Sequence, residues 1–409
     1  MNHTRSAMKT PFIVVKSSVT AARGFRATGM ASGIKPSGKK DLALIVSDVP
    51  ATVAATFTTN QVKAAPVRLD MQHIAVSGGR ARAIVANSGN ANACTGKIGR
   101  IHARAMAVAV ARRIKCPEEQ ILVCSTGRIG VNLPIVKIET GIKKLLKTVS
   151  RNGAHEAAQA IMTSDTRAKE VAVRLQLGGR VVHIGGIAKG AGMIQPNMAT
   201  MLAFLTTDAV MTRAPLQRAL SAAVEQSFNR ISIDGDTSTN DTAILFANGA
   251  AGGKPLAGSA VARFQEALNF VCLELAKKMV LDGEGVTKFA TVNVHGALND
   301  SHAESAARAV ANSELVKTSW CGGDPNWGRI MDAIGYSRAK VREELVEIAY
   351  NGVVAVRHGM ATKASAQKLR KIVKQPIFAI DIYLHMGRGR CAIHTCDLTE
   401  KYVELNKGE

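Results

Sequence analysis

The segment AKGAGMIQPNMATMLAFLTTDA, residues 188–209, changes character near the middle of a chain of 409 residues. Its first half shows neither the helical nor the strand repeat of apolar residues. Its glycines allow backbone angles that other residues avoid, and Pro196 restricts the path of the chain. The second half is apolar and strand-like. The segment therefore predicts a shaped loop that runs into a strand, with the junction at Ala199 and Thr200.

Two interpretations of this junction are open. It is either a surface loop before a buried strand, or a tight turn that presses the Thr200 hydroxyl against the Ala199 carbonyl so that the chain cuts itself. A threonine hydroxyl is a poor nucleophile, and a cut would free the α-amine of Thr200, which titrates near pH ~8, to act as its base. The residues of the segment alone favour the plain loop, so self-cleavage is a hypothesis at this point.

On both sides of the segment, short aliphatic runs end in loops of Gly, Ser, Thr and Asn, and alanine-rich helical stretches separate them. Three of the runs lie in residues 83–96, 121–130 and 181–192. We predict helices over residues 102–114, 213–228, 261–280 and 302–316. Irregular alternation of strand, loop and helix is typical of a layered α/β fold with mixed sheets.

The last third of the chain predicts a smaller α/β domain. Residues 285–300 predict a strand that opens this C-terminal domain, which would extend over roughly 285–409. Residues 376–398 predict a hairpin with its turn near Gly387–Gly389.

The composition excludes several classes of protein. The chain is 46% hydrophobic and has 36 glycines, a composition typical of globular proteins. No apolar run is long enough to span a bilayer. No signal-type apolar core follows the charged first residues, so we expect a cytoplasmic protein with no membrane partner. The seven cysteines are scattered without a C-x-x-C pair, which indicates reduced thiols and no metal site.

The net charge of +22 favours acidic partners through long-range steering. Its clusters, such as Lys143–Lys144 and residues 368–374, have the pattern of polar helix faces and lack interleaved aromatic residues. We therefore expect no nucleic acid partner, and a basic nucleic-acid-binding protein is the less favoured alternative. A P-loop and a G-x-S-x-G elbow are also missing from the sequence.

Separate motifs along nearly the whole chain resemble, in the same order, the arginine-biosynthesis glutamate N-acetyltransferases, also called ornithine acetyltransferases. The matching motifs are KGAGMIQPNMATML (189–202), GFRATGMASGIKPSGKKDLALIVSDVPATVAATFTTNQVKAAPV (24–67), ANSGNANACTG (86–96), CSTGRIG (124–130), AIMTSDT (160–166), FNRISIDGDTSTNDT (228–242), DGEG (282–285), GGDPNWGRI (322–330) and HTCDLTEKYVELN (394–406). The resemblance implies the family's layered mixed-sheet fold.

The resemblance also implies roles for individual residues. Thr200 matches the nucleophile, and Thr126 with Gly127 matches the pair that stabilises the oxyanion. The positions that match substrate contacts are Thr166, Lys189, Thr200, Glu284 and Asn406. We expect a lysine to bind the α-carboxylate common to both substrates, and Glu284 to hold an amino group.

The activity that follows from the resemblance is a ping-pong transfer of acetyl from N-acetylornithine to glutamate through an acetyl ester of Thr200. The chain would first cut itself into pieces 1–199 and 200–409, and two copies of each would assemble. No cofactor is implied, and acetyl-CoA as a second acetyl donor is left open. The alternative enzyme is an N-terminal-nucleophile aminopeptidase or amidase, which would pass the acyl group to water.

Two positions depart from the family pattern. Arg128 stands where an aliphatic residue is common, and the sequence does not tell whether it faces the site. A second C-terminal contact, expected five residues after Asn406, falls past Glu409. Within DGDTSTND, we interpret Asp234, Asp236 and Asp241 as turn-forming and capping residues without a catalytic role.

Overall fold

A computed structural model describes residues 11–195 and 201–407 of the chain. Across these residues it forms two mixed β-sheets with helices packed against them. This confirms the α/β class predicted from the alternation of aliphatic runs and alanine-rich stretches.

The strands belong to a nine-stranded and a six-stranded sheet within the described residues. They are β1 (Phe12–Val15), β2 (Phe25–Met30), β3 (Leu42–Phe57), β4 (Arg80–Asn90), β5 (Ile121–Arg128), β6 (Lys169–Leu177), β7 (Arg180–Lys189), β8 (Leu202–Thr207), β9 (Thr242–Ala247), β10 (Phe289–Ala297), β11 (Glu347–Tyr350), β12 (Val353–Arg357), β13 (Met360–Ala361), β14 (Ile377–Tyr383) and β15 (Gly389–Cys396).

The helices cover the outer faces of the sheets. They are α1 (Ala65–Val76), α2 (Gly96–Ile114), α3 (Ile135–Thr148), α4 (Ala154–Ala160), α5 (Arg213–Glu225), α6 (Ser259–Leu281), α7 (Asp300–Asn312), α8 (Glu314–Cys321), α9 (Trp327–Gly335), α10 (Ala366–Val373) and α11 (Glu400–Leu405). The four helices predicted from the sequence correspond to α2, α5, α6 and α7 and are confirmed. Short 3-10 helices occupy Glu118–Gln120, Phe228–Arg230 and Glu343–Leu345.

The large sheet has the order β1-β6-β7-β8-β9-β3-β4-β5, and β2 pairs with the first half of β3. Strand β3 pairs with β4 over residues 42–46 and again at residues 51–52, with a shift in register between Val46 and Ala51, and it pairs with β9 over residues 52–57. β4–β5 and β8–β9 are parallel, whereas the other pairs of this sheet are antiparallel. β3 thus joins two half-sheets.

The buried residues show that these half-sheets lie face to face. One cluster combines Phe25 of β2 and Ile84 of β4 with Phe204 of β8 and Phe246 of β9. A second cluster packs β6–β9 against α5 and α6, and a third packs β3–β5 against α2 and α3. The order helix, sheet, sheet, helix is the layered arrangement expected from the resemblance.

The small sheet begins at Phe289 and has the order β13-β12-β11-β14-β10-β15. Its own buried cluster runs from Ala290 to Ile393 and includes Trp320 and Tyr350. The hairpin predicted over residues 376–398 is wrong, because β10 lies between β14 and β15 and pairs with both. In the sequence, two strands joined by a short glycine-containing loop have the pattern of a hairpin. In the structure, β10 lies between these two strands and separates them.

The described residues offer neither a membrane-spanning helix nor a cluster of metal ligands. None of their helices is both long and apolar enough to cross a membrane. Nor do those residues contain a group of three or more His, Cys, Asp or Glu side chains arranged to hold a metal ion.

Candidate active site

A cavity of about 510 Å³ opens where the stacked half-sheets end. It is lined by Lys35, Pro36, Ser37, Gly89, Ala91, Thr126, Gly127, Arg128, Ile129, Thr163, Ser164, Lys189, Gly192, Met193, Ser238, Asn240, Glu284 and Asn406. These include five of the residues that the resemblance assigns to the site. A larger groove of about 630 Å³ beside β1 and α6 contains none of them.

Thr126 and Gly127 lie at the end of β5, level with Ser88 and Gly89 of the parallel neighbour β4. Gly127 has φ +127°, and a Cβ atom there would lie 2.4 Å from the carbonyl carbon of Gly89. Only glycine allows both the conformation and the close approach. The glycine at position 127, which the resemblance singled out, is therefore also required by the packing of β5 against β4.

Strand β5 is the last strand of the large sheet, and α1 supports its free edge. The Asp70 carboxylate accepts a hydrogen bond from the Val123 amide at 2.7 Å, and His73 Nδ1 lies 2.8 Å from the Ile121 carbonyl oxygen. Burial raises the pKa of the Asp70 carboxyl well above its usual range. These contacts fix the strand that carries Thr126 and Gly127.

Lys189 is 2% exposed at the end of β7, and its Nζ donates a hydrogen bond to Thr126 Oγ1 at 3.2 Å. Burial lowers the pKa of this ammonium group, and the carboxylates of Asp165, Asp241 and Glu284 oppose that effect. A buried cation therefore stands beside the threonine of the proposed oxyanion site.

A buried ion network lies under the same corner. Lys169 Nζ is 2.6 Å from both Asp165 Oδ1 and Asp282 Oδ2, and Asp165 Oδ1 also accepts the Gly190 amide at 2.7 Å. Thr166 is exposed and does not line the cavity; its hydroxyl donates to Asp282. The Thr166 hydroxyl is therefore held by Asp282, a member of the ion network, and does not face the cavity.

Glu284 and Asn406 meet at the other side of the cavity. Asn406 follows α11, and its Nδ2 donates to Glu284 Oε2 at 2.8 Å. The Glu284 amide donates to the Ala191 carbonyl at 2.8 Å, and a Cβ atom on Gly192 would lie 2.6 Å from the Glu284 carboxylate. The glycine therefore makes room for a carboxylate that faces the cavity.

The cavity also contains two further cations. Lys35 Nζ donates to the carbonyl oxygens of Lys40 and Met162 at 2.7 Å each, and burial lowers its pKa to about 8. Arg128 is exposed and lines the cavity, so this departure from the family pattern lies at the site. The cavity lining therefore carries three basic side chains and one carboxylate, that of Glu284.

The aspartates of DGDTSTND bind the chain on both sides of residues 196–200. Asp234 accepts the amides of Met193 and Ile194, the latter at 2.7 Å. The Asp236 carbonyl accepts the amide of Gln195 at 2.8 Å. The turn-forming interpretation is confirmed for Asp234, which also accepts the Asp236 amide at 3.2 Å.

Asp241 differs from its neighbours, and the interpretation as a turn-forming residue is wrong for it. Its side chain is fully buried, and Oδ1 accepts the Met201 amide at 2.5 Å. Sequence reasoning missed this residue because an aspartate among Gly, Ser, Thr and Asn has the usual pattern of an exposed turn.

Ala199 and Thr200 lie outside the described residues, so the predicted cut and nucleophile have no geometry here. The described residue bonded to Thr200 is Met201, which is 2% exposed and precedes β8. Across the sheet, Leu202 is level with Lys189 of β7 and Thr242 of β9.

The fold and the cavity define a layered α/β protein with a cavity whose lining carries both basic side chains and a carboxylate. The chain belongs to the ArgJ family, whose family model matches residues 26–408. This confirms the resemblance stated from the sequence.

Several relatives match over nearly their whole length. The arginine biosynthesis bifunctional protein ArgJ of Geobacter sulfurreducens is 48% identical over 387 residues, which are 94% of this chain and 98% of that protein. The protein of the same name from Halalkalibacterium halodurans is 44% identical over 395 residues, 96% of this chain and 95% of that protein. A solved structure of ornithine acetyltransferase complexed with ornithine, from Mycobacterium tuberculosis, is 43% identical and covers 45% of this chain and 98% of that chain, with a TM-score of 0.43.

Proposed function

We propose that the protein is a self-cleaving acetyltransferase of arginine biosynthesis that moves acetyl from N-acetylornithine to glutamate. The observation that carries this proposal is the meeting of Thr126, Gly127, Lys189, Glu284 and Asn406 in one cavity. The family membership and the printed names of the relatives support the same activity.

The first proposed step is the cut between Ala199 and Thr200. The Thr200 oxygen adds to the Ala199 carbonyl carbon, the carbon–nitrogen bond breaks, and the hydroxyl proton ends on the nitrogen, which gives an ester. Water then hydrolyses the ester, so that Ala199 keeps a carboxylate and Thr200 regains its hydroxyl. The new α-amine is the base that the threonine lacked.

The second proposed step is acetyl transfer in two halves. Thr200 attacks the acetyl carbon of N-acetylornithine, the amide bond breaks, and the proton taken by the α-amine passes to the leaving ornithine nitrogen. Glutamate then attacks the acetyl ester through its α-amine and regenerates the hydroxyl. Donors at Thr126 and Gly127 would stabilise the oxyanion in each half, and one such donor contributes about 10²–10³ in rate.

The charges of the cavity suit both substrates. We propose that Lys189 binds the α-carboxylate, which ornithine and glutamate share, because a buried ammonium forms a strong charge-assisted hydrogen bond. Glu284, held by Asn406 at 2.8 Å, would bind a substrate ammonium group. We place Thr166 at the edge of the site, where release from Asp282 would free its hydroxyl.

Three further expectations belong to this proposal. The name of the relatives specifies two functions, and for this chain we propose acetyl-CoA as the second donor to test, delivering acetyl to Thr200. We propose that pieces 1–199 and 200–409 assemble as two copies of each. The chemistry assigned to Thr200 needs no cofactor.

Denaturing intact-mass spectrometry of the freshly purified protein and of Thr200→Ala tests the cut. We expect two pieces from the native chain, the second beginning at Thr200, and one intact chain from the variant. Incubation with N-acetylornithine should then add one acetyl group to the second piece. An uncut native chain that is well folded would refute the proposal.

The acceptor separates the transferase from the amidase alternative. The acetylated piece is mixed with glutamate or with buffer alone, and loss of the acetyl group is followed by mass. Fast loss that requires glutamate supports transfer to an amine, whereas equally fast loss in buffer supports hydrolysis.

A further inference from the structure

Lys35 is a cation of the cavity that the proposed function leaves without a role. Its Nζ donates hydrogen bonds to the carbonyl oxygens of Lys40 and Met162, at 2.7 Å each. An ammonium group has three hydrogens, so these bonds within the described residues leave one donor of Lys35 for another partner. Thr163 and Ser164, which follow Met162, also line the cavity, so the nitrogen is tied to a second segment of the cavity wall.

A buried carboxylate organises the loop that carries Lys35. Asp41 is fully buried, and its two oxygens accept the main-chain amides of residues 32–35 at distances from 2.6 to 3.1 Å. The Ser32 hydroxyl donates to the same carboxylate at 2.8 Å. A loop whose successive amides are bound to one carboxylate keeps a fixed path. Lys35 therefore leaves the main chain at a defined point of the cavity wall.

Two lysine side chains reach the same ends of β4 and β5. The side chain of Lys35 passes close to Gly89, since a Cβ atom on that glycine would lie 3.0 Å from Lys35 Cγ. Gly89 is level with Gly127, and the residue before Gly127 is Thr126, whose hydroxyl accepts the Lys189 hydrogen bond at 3.2 Å. The two lysines therefore contact neighbouring positions of the paired strands, next to the proposed oxyanion site.

Neither of these ammonium groups has a carboxylate in direct contact. In the part of the chain that the structure describes, Lys35 and Lys189 form no salt bridge, and their nitrogens bond to carbonyl and hydroxyl oxygens. Lysine nitrogens that are shielded from water are normally paired with an anion. Lys35, with a pKa of about 8, is still mainly charged at pH 7. Arg128, the third cation, is exposed, so water weakens any ion pair that it forms. A ligand with two carboxylates would therefore satisfy the two lysines.

The two proposed substrates differ at the end of their side chains, where glutamate carries a second carboxylate and N-acetylornithine carries an ammonium group. We propose that Lys35 binds the side-chain carboxylate of glutamate and so selects the acceptor in the second half of the reaction. This inference rests on the proposed function, in which Lys189 binds the α-carboxylate. Ornithine gains no such contact, because its side-chain ammonium group and that of Lys35 repel each other.

The test measures transfer of the acetyl group from the acetylated second piece to glutamate and to ornithine, each over a range of acceptor concentrations. Transfer to ornithine is the reverse of the proposed first half, so both acceptors react with the same ester. Loss of the acetyl group is followed by intact mass. The variant is Lys35→Met, which keeps a side chain of similar length and removes its charge. The matched control is Lys39→Met, because Lys39 is exposed in the same loop and does not line the cavity.

We expect Lys35→Met to slow transfer to dilute glutamate by about tenfold or more, as loss of a charge-assisted hydrogen bond requires. The half-saturating concentration of glutamate should rise accordingly. Transfer to ornithine should stay within about threefold of the native rate or become faster, since a repulsive charge is removed. Lys39→Met should leave both acceptors within about threefold. A purely structural role of Lys35 would instead change the two acceptors alike.

The ratio of the glutamate rate to the ornithine rate decides the inference. An unchanged ratio in Lys35→Met overturns it, whether both rates fall or neither does. An equal fall of the ratio in Lys39→Met also overturns it, because the effect would then belong to the general charge of the loop. If Lys35→Met does not fold, Lys35→Gln replaces it, since an amide still donates hydrogen bonds but carries no charge. A native chain that is not cut, or that takes no acetyl group from N-acetylornithine, refutes the proposed function instead, so the two failures are distinct.

Discussion

Substitution of Gly127 by alanine should impair both stability and catalysis, because the new methyl group has no room. Its Cβ would lie 2.4 Å from the Gly89 carbonyl carbon and 2.5 Å from the Asn90 nitrogen, whereas ordinary van der Waals contact begins at 3.4 Å. β4 and β5 must therefore separate by about 1 Å, and overpacking of this kind costs about 1–3 kcal/mol. The backbone at φ +127° adds about 1–3 kcal/mol of strain for a residue with a side chain.

The expected loss of unfolding free energy is thus about 2–6 kcal/mol, with a loss of about 10²–10³ in the rate of acetyl transfer as the oxyanion donors move. Chemical denaturation measures the first, and transfer of labelled acetyl from N-acetylornithine to glutamate measures the second. The control is Gly130→Ala, since Gly130 has φ +80° in the same segment and open space around it. If Gly127→Ala is as stable and active as this control, the close packing of β4 and β5 does not shape the site.

Three further outcomes follow from the charged groups. Lys169→Met should destabilise the fold by about 3–5 kcal/mol in denaturant titrations, because it leaves Asp165 and Asp282 buried without their cation. Burial alone would raise the pKa of Asp165, but the ammonium groups of Lys189 and Lys169 outweigh it and hold that pKa far below its usual range. The stability that Asp165 provides is therefore present above pH ~4 and lost as pH falls below it, so the stability difference from Asp165→Asn should be constant above pH ~5 and shrink in acid. Glu284→Gln should raise the KM for N-acetylornithine about tenfold or more, and a larger loss of kcat than of affinity would contradict a binding role.

The sequence predicted the class of fold because hydrophobic periodicity is a local property. The alanine-rich stretches become helices at nearly the expected bounds, such as 261–280 against Ser259–Leu281. Pairing between distant strands is not local, which is why the hairpin over residues 376–398 is wrong: β10, from eighty residues earlier, takes the place between its strands. The shift in register of β3 against β4 between Val46 and Ala51 had no evident signal in the sequence either.

The site residues that were predicted correctly are likewise those with a local sequence signal. Gly127, Lys189, Glu284 and Asn406 were found through motifs and do line one cavity. Asp241 was not found, because its burial depends on packing between β7, β8 and β9 rather than on its neighbours in the chain. The role of Thr200 stays a prediction, since that residue lies outside the described ranges.

The order of the large sheet restricts when the proposed cut can occur. β8 and β9, which follow Thr200, lie between β7 and β3, which both precede it. Piece 1–199 alone would hold two groups of strands that are not hydrogen-bonded to each other, and β7 and β3 would each lack a neighbouring strand. We therefore expect the proposed cut to come after folding, and the hydrogen bonds of β8 with β7 and of β9 with β3 would then hold the two pieces together. If the two pieces were expressed as separate chains, they would have to assemble without having folded as one chain. The yield of assembled enzyme from such co-expression would measure how much folding depends on the covalent link between the pieces.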